Sequence, residues 1–175
     1  MALPQAKQNA TEARLSAVNT PDGAVWIAQA RVSALARVRA MGLPTARDEY
    51  WKFTRPETLV QAEAPEAALF EEDEAPIFDT VDRLKVVFVD GVFDAEASDD
   101  LSQEGLTIER LADVAQADIH WAKDLYGVLE ERGQDPVQRP LAALNTALAE
   151  DGVVIHVSGK GSKPVNLIYN HKSTT

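Results

Sequence analysis

The chain has 175 residues, of which 45% are hydrophobic, and it carries a formal net charge of −11 and no cysteine. That length suits one compact domain or two small ones, able to bury roughly 70% of the surface of the unfolded chain. A disulfide framework and a thiolate metal site are excluded, no apolar run approaches the ~20 residues of a bilayer span, and the opening MALPQAKQNATEARL lacks a secretory signal's basic head and apolar centre.

A reducing, cytoplasmic setting is therefore expected. The charge is uneven. Residues 1–60 hold 8 basic and 5 acidic side chains, residues 61–150 hold 6 and 22, and residues 151–175 hold 3 and 1. A middle this acidic is repelled by phosphate backbones and anionic lipid, so neither nucleic acid nor membrane is expected as a partner.

Residues 1–19 are polar and alanine-rich and are expected to be frayed or loosely helical, so that 1–20 form a flexible tail. Thr20-Pro21 reads as a cap with proline at the first helical position. Val25, Ala28, Val32 and Leu35 then recur at helical spacing, with Ile27, Ala34, Val38 and Met41 on an adjoining stripe. Arg31, Arg37 and Arg39 fall late in this helix, where cations suit its dipole.

Gly42 can close the helix in the left-handed conformation, and Pro44 prevents it from resuming. Thr45 is placed to cap a short second helix, with Asp48 three residues on. Trp51 and Phe53 bring large apolar faces, with Arg47, Lys52 and Arg55 positioned to lie over rings or carboxylates. Arg47, Asp48, Glu49 and Lys52 are spaced for ion pairs along one helix. Core anchoring is the expectation for Trp51 and Phe53, and partner binding is the alternative for Trp51.

Thr54-Arg-Pro-Glu57 is another cap-like start. Residues 61–76, with two prolines and a Glu/Asp run, read as an acidic connector. They lack the spaced Asp/Asn/Gly ligands of a Ca²⁺ loop. Residues 84–89 and 92–93 flank Asp90-Gly91, a strong tight-hairpin signal. Residues 106–111 supply another strand, followed by a helical stretch through 117. Trp121, Leu125, Val128 and Leu129 mark an amphipathic helix that ends at Gly133 and Asp135-Pro136. Leu141, Leu144 and Leu148 define a third main helix. After Gly152 come two strands, 153–157 and 165–169, joined by the turn GKGSKP. With nothing following to pair them, their edges are expected to be open.

Chemistry is sparse. His120, His156 and His171 are too far apart for a helical metal pair. The glycines of Gly159-Lys160-Gly161-Ser162-Lys163 are one residue apart rather than four, and a strand rather than a helix follows, so this is no phosphate loop. No serine sits in a Gly-x-Ser-x-Gly elbow.

Three stretches resemble one family. GLPTARDEYWKFT, residues 42–54, is similar to the G-(L/M)-P-x-x-(R/K)-x-E-x-W-K-(Y/F)-T signature near the start of SufB/SufD proteins, which belong to the SUF system of iron–sulfur cluster assembly. VVFVDGVFD, residues 86–94, resembles the family's strand–turn–strand segment, and LAALNTALAEDGVVIHV, residues 141–157, its entry into the central domain. The three occur in the family's order, span about residues 25–170, and lie nearest the SufD members.

The resemblance implies an α+β fold: an amino-terminal helical region, a small hairpin-containing sheet, further helices, then the first strands of a truncated parallel β-helix. Its domains would be a tail at 1–20, an α/β domain at 21–150 and an incomplete β-helix start at 151–175. It implies a non-catalytic scaffold present as an amino-terminal fragment, with SufB and the ATPase SufC as partners. No cofactor is implied in this segment, since the wider complex handles Fe–S clusters and ATP. The motif residues Gly42, Pro44, Arg47, Glu49, Trp51, Lys52, Phe53 and Thr54 would be structural, with no catalytic or metal residue. The alternatives are a stand-alone acidic interaction domain and, from another class, a small hydrolase or transferase using scattered histidines and carboxylates.

Overall fold

A computed structural model describes residues 3–63, 65–66 and 77–173. Most of the acidic connector expected at 61–76 therefore lies outside the described residues. The helices are α1 (Gln5–Ser16), α2 (Val25–Met41), α3 (Glu57–Val60), α4 (Leu111–Val114), α5 (Val128–Arg132) and α6 (Pro140–Leu148). The strands are β1 (Leu84–Val89), β2 (Val92–Phe93), β3 (Leu106–Arg110), β4 (Val153–Val157) and β5 (Val165–Asn170). The class is mixed α+β. Its contacts divide into two compact units, one of residues 1–65 and 115–149, the other of residues 66–114 and 150–175.

The first unit is helical and built on α2. Ile27, Arg31, Ala34, Val38 and Met41 are its buried stripe, stepping by four and three residues so that all face one side. Val25 and Val32, on the other stripe drawn from the sequence, are 69% and 66% exposed. The helix also begins later than expected. Ala24 rather than Thr20 is its N-cap, because residues 20–24 are not helical and the Ala24 N–H is committed to the Ala115 carbonyl at 2.7 Å. Leu15, Val38, Met41, Leu43, Ala143 and Leu144 form the core where α1, α2 and α6 meet.

Within the segment expected as a frayed or loosely helical tail, helix α1 is regular and packed. Leu15 enters the core, and the buried Thr11 hydroxyl donates to the Lys7 carbonyl while accepting the Leu43 N–H at 2.9 Å. These fixed contacts offset the weak helical pattern of the segment. The single amphipathic helix expected around Trp121–Leu129 is also corrected. A 3₁₀ turn, Trp121–Asp124, is capped by His120, whose Nδ1 accepts the Ala122 N–H. The chain then turns at Gly127 before α5 starts, which resets the helical phase and leaves Leu125 and Leu129 exposed. The inward side chain is Tyr126. Its hydroxyl donates to the Thr146 carbonyl at 2.6 Å and its ring meets Trp26 edge-on.

The second unit holds both sheets. β1 and β2 form the expected hairpin, with Asp90 and Gly91 both at positive φ (50° and 84°) as a tight primed turn requires. The remaining strands differ from expectation. β5 pairs in parallel with the whole of β1, and β4 pairs antiparallel with β3, giving the orders β2-β1-β5 and β3-β4. The two terminal strands are thus neither a hairpin nor without neighbours. The GKGSKP turn is a crossover between sheets, tied down where the Gly105 carbonyl accepts the Ser158 and Gly159 N–H groups. The driving force is burial: β1 is apolar on both faces, and Leu84, Val86 and Phe88 form a core with Ile108. Phe88 lies stacked on Tyr169 of β5 and edge-on to Phe93 of β2. Asp151 fastens β4 to β3 and α4, accepting from Arg110 Nη2 at 2.6 Å and from the Ala112 N–H.

Candidate functional site

The motif 42–54 forms a corner of the first unit. Gly42 ends α2 at φ 68°, its N–H donating to the Val38 carbonyl at 2.8 Å. A Cβ there would lie 2.9 Å from Lys7 Cε, so glycine is needed both for the turn and for the close passage of the lysine stem. Leu43, 2% exposed, fills the core beneath.

Asp48 organises the next turn. Its carboxylate accepts the Thr45 N–H at 2.7 Å, the Thr45 hydroxyl, and the Lys7 ammonium at 3.0 Å. This is half of the expected capping box, because the Thr45 hydroxyl turns to the carboxylate instead of to a backbone N–H. Partial burial pushes the Asp48 carboxyl up, but the Thr45 bonds and the Lys7 charge together hold it below the usual carboxylate value. Only a 3₁₀ turn follows, Glu49–Trp51.

The motif side chains separate into two groups. Gly42, Pro44, Asp48, Glu49, Tyr50 and Trp51 line an open cleft of about 380 Å³. Lys52 is outside it, paired with Glu49 and lying 5.1 Å from the Phe53 ring centre. Arg47 and Thr54 are exposed and also outside it. The core anchoring expected for the aromatic pair is corrected: Phe53 is 92% exposed and Trp51 half-buried, because one 3₁₀ turn is too short to carry both rings inward.

The other wall is the segment from Gln134 to Pro140, contributing Asp135, Pro136, Val137 and Gln138. It is held by Gln134, whose Oε1 accepts the Arg139 N–H at 2.6 Å and whose Nε2 donates to Glu130. Glu130 is itself paired with Arg37 of α2. Sequence reasoning saw residues 135–136 only as a helix breaker and missed this wall and Lys7. The one linear signal available is the proline pair 136 and 140, which marks a stiff irregular segment.

The cleft carries three carboxylates, Asp48, Glu49 and Asp135, against one ammonium, Lys7. Its lining is made of rings, prolines and acids with one lysine. The three histidines are scattered: His120 caps its turn, His156 sits opposite Thr107 in the β3–β4 ladder, and His171 follows β5. Among the described residues, no group of three or more His, Cys, Asp or Glu is placed to hold a metal ion. Among the same residues, no helix is long and apolar enough to cross a membrane.

Helical packing and two small sheets define a mixed α+β class, and the first unit carries a cleft walled by aromatic and acidic groups. No curated protein matches the chain. A family model described as the SufBD protein N-terminal region matches residues 15–165, and the chain belongs to the SufB/SufD family, whose setting is SUF iron–sulfur cluster assembly. All three resembling stretches, 42–54, 86–94 and 141–157, fall inside the matched range.

Proposed function

We propose that the chain is a non-catalytic scaffold component of the SUF complex, of the SufD type, working with SufB and the ATPase SufC. The observation that carries this reading is the family match over residues 15–165. Iron–sulfur clusters are cargo here. The chain has no cysteine to ligate one through thiolate, so clusters and ATP are handled by its partners in a cytoplasmic complex. Residues 151–175 then lead into a central β-helix, and the outer edge of β5, the last strand of its sheet, is where a further strand pairs.

Affinity capture tests it. The tagged chain is offered purified SufB and SufC, separately and together. Retention of SufB, alone or with SufC, is the expected result, and passage of both at micromolar concentration contradicts it.

A second reading, a stand-alone acidic interaction domain, is favoured by the pairing of β4 and β5 within the chain, since both strands find backbone hydrogen-bond partners there. The coding frame beyond Thr175 separates the two. A long continuation rich in short β segments supports the scaffold, and a stop codon followed by an unrelated gene supports the isolated domain.

A further inference from the structure

We propose that the outer edge of β5 is a self-association surface, on which β5 of a second copy of this chain pairs antiparallel about a two-fold axis at Leu167. The inference goes beyond the scaffold reading and does not rest on it. It concerns what the strand does when no other strand occupies its edge, and the two occupants exclude one another.

The backbone defines the surface. The ladder to β1 takes up the Pro164 and Asn170 carbonyls, and strand alternation sends the main-chain groups of Asn166 and Ile168 the same way. The N–H and C=O groups of Val165, Leu167 and Tyr169 therefore point outward, and no hydrogen bond engages them among the described residues. The opposite edge of the sheet is treated differently. Beyond the short β2, Ser98 Oγ accepts the Val87 N–H at 2.9 Å and the Asp99 carboxylate accepts the Lys85 N–H at 2.7 Å, so a loop closes β1 on that side. β5 has none of the usual guards of an edge, since VNLIYN holds no charge, no proline and no bulge. Short segments of high β propensity without charge, proline or glycine are the kind that pair with their own copies.

Register selects the occupant. With the axis at Leu167, Val165 faces Tyr169 of the second copy, Leu167 faces its own counterpart, and Tyr169 faces Val165 of the second copy. Each of these pairs exchanges both N–H···O bonds, so every outward group of the three residues is satisfied. The side chains agree. Val165, Leu167 and Tyr169 share a face with Leu84, Val86 and Phe88, their partners in β1, and that is the core face. Yet Leu167 and Tyr169 remain 39% and 55% exposed. Pairing sets two leucines together on the axis and an aromatic against a β-branched residue on either side, which are favourable cross-strand combinations. No charged residue faces another within the ladder.

A two-fold contact of this kind closes at two copies and joins the sheets into one of ordinary width, β2-β1-β5 continued by its mirror order. A single strand edge buries less area than a standard interface, so the pairing is a concentration-dependent equilibrium. The net charge of −11 on each copy opposes it, and added salt therefore strengthens it.

The full chain is followed by sedimentation velocity from micromolar to millimolar concentration, with amide exchange at both ends of that range. A reversible monomer–dimer equilibrium, shifted toward dimer by salt, is expected. Exchange at Leu167 and Tyr169 should be fast in the dilute sample and about tenfold slower in the concentrated one. Leu167→Lys and Leu167→Glu, at an exposed position, should each stay monomeric with an unchanged circular dichroism spectrum, because like charges then meet on the axis. An equimolar mixture of the two variants should pair again, a rescue that a merely unfolded variant cannot give. Any of four results would overturn the proposal: a monomer at millimolar concentration, association that runs past the dimer, protection that appears at 153, 155 and 157 on β4 instead, or a mixture no more associated than its separate components.

Discussion

Arg31 Nη2 donates to the carbonyl oxygen of Ala149, 2.8 Å away and 118 residues further along the chain. Nη1 of the same guanidinium donates to the carbonyls of Pro21 and Asp22, so one buried cation ties the approach to α2 to the end of α6. Charge-assisted bonds of this kind are stronger than neutral ones, and a lost partner leaves its acceptor desolvated. Arg31→Leu keeps the apolar contact of the stem but strands three carbonyls. A loss of about 3 kcal/mol in urea unfolding is expected, and an unchanged midpoint would show that water satisfies those groups equally well.

Tyr126 carries a second long-range tie. Burial pushes its phenol above the usual tyrosine value, with the nearby Arg31 charge and hydrogen bond acting against that rise. A proton held more tightly in the folded state means stability that is complete below about pH 10 and declines as pH rises through the folded value. Tyr126→Phe should cost about 1 kcal/mol at neutral pH through the lost bond to Thr146. It should also flatten the alkaline limb of the stability profile, and an identical alkaline limb in the two proteins would contradict the assignment.

The Asp48 carboxyl behaves in the opposite sense. Its value is depressed in the folded state, so its stabilisation is present above the unfolded carboxylate value of about 4 and disappears as pH falls through the folded one. Asp48→Asn should remove about 1 kcal/mol at pH 7, the scale of a lost cap, and little at pH 2. Lys7→Met should remove part of the same pH dependence. Equal losses at both pH values would mean that Asp48 acts by shape rather than charge.

Amide exchange tests the terminal strand. In the parallel ladder the Leu84 N–H donates to the Pro164 carbonyl and the Asp90 N–H to the Asn170 carbonyl. The alternation of such a ladder directs the N–H groups of Asn166 and Ile168 at β1 and those of Leu167 and Tyr169 away from it. Slow exchange at 166 and 168 beside fast exchange at 167 and 169 is the expected pattern. Uniformly fast exchange from 165 to 170 would restore the unpaired edge that the sequence suggests.

What the sequence revealed is what local chemistry determines. Val38 and Met41 mark the core stripe of α2, Asp90-Gly91 marks its hairpin, and Leu144 marks α6, because periodicity and turn conformation act within a few residues. Arg31 was hidden because an arginine at a core position counts against burial until its carbonyl partners, distant in sequence, are known. β5 was misjudged for the same reason: a parallel partner lies across a long connection, and nothing near Val165 names β1. In the cleft, the string 42–54 pointed to one wall through family resemblance. The wall at 134–140 carries no comparable motif and becomes visible only once Gln134 and Arg37 are placed against Glu130.

The role in iron–sulfur assembly is tested most directly by cluster loading of iron–sulfur proteins in cells that depend on the SUF route alone, with the coding segment for residues 15–165 deleted or restored. Loading should fall on deletion and recover on restoration. Full loading without the segment would contradict a part for this chain in building the clusters.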